Sequence, residues 1–85
     1  MLYRILTEQK NLPNVIKIVS EHFDGFTLIK GKGYWQRVAE NSLIIEIDAC
    51  NKLIDVIRQT AEEIRDYNKQ QCVMVQCIES KVLFV

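Results

Sequence analysis

Eighty-five residues with eleven basic and eleven acidic side chains make one uncharged domain, 48% hydrophobic and 26% charged, which excludes a disordered chain. Zero net charge counts against a duplex nucleic-acid binder, whose affinity rests on neutralising phosphates with a basic excess. No apolar run reaches the roughly 18 residues that span a membrane, and the first residues, M-L-Y-R-I-L-T-E, lack the apolar core of a secretory signal, so the expectation is a cytoplasmic protein.

In chain order, Met1 to Leu6 reads as a strand of aliphatic and aromatic side chains, followed by the polar run Thr7 to Asn11. Asn11 suits a helix cap and Pro13 a first turn, and Leu12, Val15, Ile16, Val19 and Phe23 then recur at helical spacing. Asp24-Gly25 is expected to stop this helix with the glycine in the left-handed region. Phe26 to Lys30 reads as a second strand, Gly31 to Arg37 as a glycine-punctuated connection, and Ser42 to Ala49 as a third strand rich in β-branched residues. Asn51 is the expected cap of a second helix that buries Leu53, Ile57, Ala61 and Ile64 and ends near Asn68. Cys72 to Ile78 supplies a fourth strand, and Glu79-Ser80 is expected to turn the chain into a short extra strand, Lys81 to Val85.

The order β-α-β-β-α-β predicts an α+β, ferredoxin-like domain: an antiparallel sheet with both helices on one face and a short C-terminal extra strand. Strand alternation then raises a difficulty. With Leu43, Ile45 and Ile47 turned to the helices, Ile44, Glu46 and Asp48 face away, and Met74 and Ile78 join Ile44 on that side. Apolar surface of this kind marks an interface. Burying even 400 Å² of it per subunit gives about 10 kcal/mol gross at roughly 25 cal/mol per Å². The expectation is a homo-oligomer, dimer or trimer, joined through the open sheet face or an edge strand; the alternative is that Val82 to Val85 folds back over the face within one subunit.

Chemistry-bearing residues are few. Cys50, Cys72 and Cys77 form no C-x-x-C pair and are odd in number, so they read as small buried or half-buried hydrophobes and not as a disulfide framework. His22, the single histidine, falls at a helix end without companions at metal-ligand spacing, so neither metal nor cofactor is expected. The segment G-K-G-Y-W-Q-R is the most informative. Tyr34 and Trp35 offer flat surfaces for stacking on a ring, and Lys32 and Arg37 offer cations for phosphate or carboxylate. Thr27, Glu40 and Ser42 add polar groups nearby in sequence, Ser42 without an evident base to make it a nucleophile. The competing reading has Trp35 packed over the sheet edge and the glycines merely turning a hairpin. Glu46 and Asp48, at i and i+2 on one strand face, read either as metal or general-base carboxylates or as a solvated, cross-strand paired rim.

The residues F-D-G-F-T-L-I-K-G-K-G-Y-W, E-N-S-L-I-I-E-I and N-K-Q-Q-C-V-M-V resemble a small ferredoxin-like family of unassigned function with the pattern F-x-G-x-T, G-x-W, E-x-S and Q-x-x-V. The matched positions are Phe23, Gly25, Thr27, Gly33, Trp35, Glu40, Ser42, Gln70 or Gln71, and Val73 or Val75. Where that pattern has a glycine soon after the tryptophan, this chain has Gln36-Arg37, which adds a charge to the turn. More distantly, the architecture is similar to PII-like signalling proteins, which bind nucleotides between subunits, and to compact phage-encoded proteins that sequester nucleotide immune signals. Fold alone transfers no mechanism; taken with the apolar sheet face and the aromatic and cationic residues of Gly31 to Arg37, the expectation is a non-enzymatic oligomer, like a phage-type sponge, whose intersubunit pockets capture a small anionic ligand, a cyclic or other signalling nucleotide, in the host cytoplasm if the chain is phage-encoded. Its ligand-binding residues would be Thr27, Lys32, Tyr34, Trp35, Arg37, Glu40 and Ser42. Two alternatives from other classes are a module that adds to a host complex through its apolar sheet face, and a small nucleotide or metabolite enzyme using Glu40, Glu46 or Asp48 as base.

Overall fold

Four strand segments with apolar residues at period two build the sheet, and two amphipathic helices cover one side of it. The computed structural model describes residues 1–85 as β1 (Leu2–Glu8), α1 (Leu12–His22), β2 (Thr27–Trp35), β3 (Val38–Asp48), a single 3-10 turn (Asn51–Leu53), α2 (Ile54–Asn68) and β4 (Met74–Ile78). The four strands form one antiparallel sheet in the order β2-β3-β1-β4, the ferredoxin-like arrangement. No helix is long and apolar enough to cross a membrane.

The core lies where the strand and helix periodicities meet. Tyr3 and Ile5 of β1 and Leu43, Ile45 and Ile47 of β3 are fully or almost fully buried, against Val15 and Val19 of α1 and Ile57, Ala61 and Ile64 of α2. Ile16 and Leu53, both expected in buried stripes, are instead partly exposed, Ile16 on α1 and Leu53 in the 3-10 turn ahead of α2. Tyr3 fills the end of the core and donates its hydroxyl to the Cys50 carbonyl at 3.3 Å. Burial, with the Cys77 and Cys50 thiols nearby, raises the Tyr3 pKa above the ordinary 10.0.

Several local expectations are corrected. Gly25 has no positive φ and open space where a Cβ would stand; α1 ends instead at Phe23, which turns to extended backbone with its N–H on the Val19 carbonyl. Asn11 precedes α1 in the left-handed conformation, φ 54°, and not in the extended one that aims a capping oxygen at the first helical N–H groups, so it makes no side-chain capping bond; its Nδ2 donates to Asn68 instead. Asn51 opens the 3-10 turn and does not cap α2. The glycine-punctuated segment is not a loop: Gly31 and Gly33 lie inside β2, and β3 begins at Val38, four residues earlier than Ser42. The reversal falls on Gln36 and Arg37, with φ of 50° and 67°. Two consecutive left-handed residues in a two-residue loop are the type I′ geometry that matches the twist of a hairpin.

The terminal segment Lys81–Val85 forms no strand. Glu79 and Ser80 have no positive φ, so they form no left-handed two-residue turn and the tail does not return along β4. Nor does it cover the sheet: Leu83 is 76% and Phe84 99% exposed. All three cysteines are free and exposed, contrary to the buried reading, because Cys72 and Cys77 flank or lie on an edge strand and Cys50 sits in the connection after β3.

Two outcomes follow from these local energies. Replacing Gln36-Arg37 by Asn-Gly should stabilise the domain by about 1 kcal/mol, since a side chain with a Cβ in the left-handed region costs roughly 1–2 kcal/mol and glycine escapes most of it; the urea midpoint checks this. For Tyr3, the unfolded chain ionises before the folded one, so stability is fully present below pH 10.0 and falls as pH rises through the folded pKa. Tyr3→Phe should lose about 0.5–1.5 kcal/mol at neutral pH and show a shallower alkaline decline than the parent when urea unfolding is repeated across that range.

Candidate functional site

The length mismatch between neighbouring strands creates the site. β3 has eleven residues and β1 seven, and their pairing stops at Glu8 opposite Ser42, with one further bond from the Gln9 N–H to the Asn41 carbonyl. Beyond that point Lys32–Trp35 and Val38–Asn41 pair only with each other and project as a two-stranded arm. Tyr34, Trp35 and Val38 on it are 74%, 69% and 61% exposed, so the tryptophan does not pack over the sheet edge as structural filler.

Pairing register sorts the expected site residues. Trp35, Glu40 and Ser42 lie on the open face of the sheet, in line with Gly31 and Gly33. Lys32 and Tyr34 share the helix-side parity of Leu43, so the two aromatics point to opposite faces of the arm and cannot stack on one ring together. Arg37 is at the turn. Thr27 is on the open face but at the other end of β2, eight residues or about 27 Å along the strand from Trp35, outside any shared site. Glu46 is held by Arg4, Nε to Oε2 2.7 Å, and Asp48 lies 3.7 Å from the amino group of Met1, so both carboxylates form the paired rim and neither is a free base.

The open face is banded. Ile29, Ile44, Leu6 and Met74 stand side by side as one apolar row across all four strands, and the next row, Thr27, Glu46, Arg4 and Gln76, is wholly polar. It is therefore less uniformly apolar than strand alternation alone suggested.

At the arm end of this face a cleft of ≈ 630 Å³ is lined by Glu8, Trp35, Glu40, Lys69, Gln70, Gln71 and Cys72. Its walls are the projecting arm on one side and the connector from α2 to β4 on the other. Trp35 supplies a ring face, Glu8 and Glu40 supply hydrogen-bond acceptors, Gln70 and Gln71 supply amides, and Lys69 supplies one cation. Gly31 and Gly33 keep the strip beside Ser42 and Glu40 bare: a Cβ at either would meet Ser42 Oγ only at ordinary contact distance, 3.5 and 3.9 Å, so neither crowding nor backbone conformation requires glycine there.

The connector is fixed by a polar network that sequence reading missed. Asn68, 1% exposed at the end of α2, accepts from Asn11 Nδ2 at 3.0 Å and donates to Gln70 Oε1 at 3.2 Å, while the Thr7 hydroxyl donates to the same Gln70 oxygen and Lys10 Nζ to the Asn68 carbonyl at 2.8 Å. Lys69 takes the left-handed conformation, φ 56°, and closes α2 with its N–H on the Asp66 carbonyl. His22 contributes elsewhere, joining α1 to α2 through Glu63 at 2.9 Å. Of the cleft residues, Trp35, Glu40 and Gln70 or Gln71 fall on the family resemblance, whereas Glu8, Lys69 and Cys72 carry no motif of their own.

Asn68→Ala should cost about 1–3 kcal/mol, because Asn11 and Gln70 lose a buried partner, and should speed amide exchange at Lys69–Cys72 more than in the core of β1 and β3. A scan of protein-family models and a search of curated proteins find no match to this chain.

Proposed function

We propose that this chain is a non-enzymatic, homo-oligomeric binding protein that captures a small nucleotide-derived signal, an anion of low charge, in the cleft between the arm and the α2–β4 connector, completed at a subunit seam. The observation that carries this reading is Trp35: the largest side chain of the protein is 69% exposed on a projecting arm and forms a wall of a cleft otherwise lined mostly by polar groups. Base stacking on an exposed aromatic is worth about 1–3 kcal/mol. Clefts of about 300–1,000 Å³ are the size that holds small molecules, and this one is open on a single subunit, which favours closure by a neighbour.

The lining selects among nucleotides. Two carboxylates against one lysine disfavour a polyphosphate, whereas ring amino groups and ribose hydroxyls donate well to Glu8 and Glu40, and a single phosphate or phosphodiester suits Lys69. This reassigns phosphate binding from Lys32, on the other face of the arm, to Lys69, with Arg37 at the arm tip as a second cation. Cyclic nucleotides, with one charge per phosphodiester, are the ligand class that fits best. Sequestration without turnover fits a cleft whose thiol, Cys72, has no histidine beside it to activate it; the single histidine is paired on α1.

Thermal-shift measurements against mono-, tri- and cyclic nucleotides test this. A ligand at 100 times its Kd should add about 2.7 kcal/mol, or roughly 10–20 °C for a domain of this size. Cyclic nucleotides should exceed triphosphates, and the ligand should be recovered chemically unchanged. Trp35→Ala should weaken binding by about 5- to 150-fold, equivalent to the stacking energy, and Gly33→Val should block it while leaving the fold intact. An absence of any shift, or recovery of a hydrolysed product, contradicts the reading.

A further inference from the structure

The two edges of the sheet differ. β2 carries Lys30 and Lys32, the charges that normally keep an edge strand from pairing with another chain. β4 has no such protection: from Cys72 to Ile78, C-V-M-V-Q-C-I, there is no charged residue and no proline, and its outer backbone groups have no strand beside them. On the helix side α2 leaves β4 only partly covered. Two shallow clefts, ≈ 190 and ≈ 230 Å³, run between them and expose Val73, Val75 and Ile54 alongside Arg58 and Glu62.

We propose that β4 pairs antiparallel with β4 of a second copy, about a two-fold axis at Gln76, joining two four-stranded sheets into one of eight strands. The register follows from the strand itself. Centring on Gln76, the middle residue of Met74–Ile78, is the one symmetric pairing that uses all five residues, setting Gln76 against Gln76, Val75 against Cys77 and Met74 against Ile78. Opposed residues then share a sheet face, as an antiparallel ladder requires. The banding also carries across. The polar row Thr27-Glu46-Arg4-Gln76 meets its own copy end to end through the two glutamine amides, and the apolar row ending in Met74 continues into the other copy's Ile78 and Leu2. On the helix side the two partly filled clefts merge, and an antiparallel pair of α2 helices lined by Arg58 and Glu62 is self-complementary in charge.

The same register gives the exposed tail an occupation. With Ile78 of one copy opposite Met74 of the other, the chain beyond Ile78 runs past Val73 and Cys72, toward the Lys69–Cys72 wall of the cleft. Six extended residues from Ile78 carry Phe84 about 20 Å, past Cys72 of the other copy and into the cleft that Cys72 shares with Trp35. The second copy thus supplies the missing lid of the site; this last step rests on the cleft being the binding site, whereas the strand pairing does not.

Charge reversal at the axis tests the pairing without any ligand. By sedimentation equilibrium the wild-type chain should be a dimer. Gln76→Lys and Gln76→Glu, exposed substitutions that leave the subunit folded, should each weaken dimerisation at least about tenfold because like charges then face each other, and an equimolar mixture should restore it as a heterodimer. Ile29→Lys, on the open face but far from β4, should leave the dimer intact. A monomeric wild type, dimeric single variants, an unrestored mixture, or a dimer dissolved by Ile29→Lys each overturns the β4 seam. Deleting Lys81–Val85 should leave the dimer in place and shift Trp35 fluorescence to the red. Unchanged emission from a truncated dimer overturns the lid and leaves the seam standing. Nucleotide binding is measured separately, so a failed ligand screen alongside a restored heterodimer rejects the proposed function and not the pairing.

Discussion

β3 outruns β1, and most of what is distinctive in this molecule depends on that mismatch. Hydrogen bonds to β1 stop at Ser42, yet β2 and β3 keep pairing to Trp35 and Val38 because a two-residue turn closes them there. The pleat of the projecting arm then dictates which side each residue faces. Trp35 and Glu40 are thrown onto the open side of the sheet, Lys32 and Tyr34 onto the other. A shorter β3 would leave Trp35 over the body of the sheet, with no recess between arm and connector.

The second constraint is the economy of a small core. Only 14 of 85 residues are buried, most of them where β1 and β3 meet the two helices. The edges receive little of this protection: neither β2 nor β4 has a buried residue, and β4, five residues long, is only partly covered by α2. Small domains commonly make up such a deficit by association. An oligomer that completes both the sheet and the cleft would couple folding, assembly and ligand capture through one strand.

Element order and core were legible in the sequence because they rest on periodicity. Leu43, Ile45 and Ile47 recur at period two, and Val15, Val19 and Phe23 recur at helical spacing, so their burial follows from geometry that any segment of that pattern obeys. The turn was misplaced for an equally physical reason. Gly31 and Gly33 advertise a bend, but hydrogen bonding to β3 holds them extended, while Gln36 and Arg37, poor turn formers, accept the left-handed conformation demanded by the hairpin's twist. Once β2 is extended to Trp35, period two alone separates Tyr34 from Trp35. The cleft was only half visible. Trp35 and Glu40 announce themselves, but Glu8 and Lys69 reach the same recess through pairing and through a network centred on Asn68, contacts up to 63 residues apart that no local pattern encodes. The exposed cysteines were misread because burial habits describe residue types, and an edge strand overrides them.

The proposed assembly joins copies of this chain so that each completes a small-molecule site beside Trp35. A native mass spectrum of the protein, taken as first purified from cells and before any added ligand, tests it in one step. The expected species is a dimer whose mass exceeds twice the chain by that of a small nucleotide, with the excess lost from the Trp35→Ala protein. A bare single chain, holding nothing and forming no dimer at micromolar concentration, would contradict it.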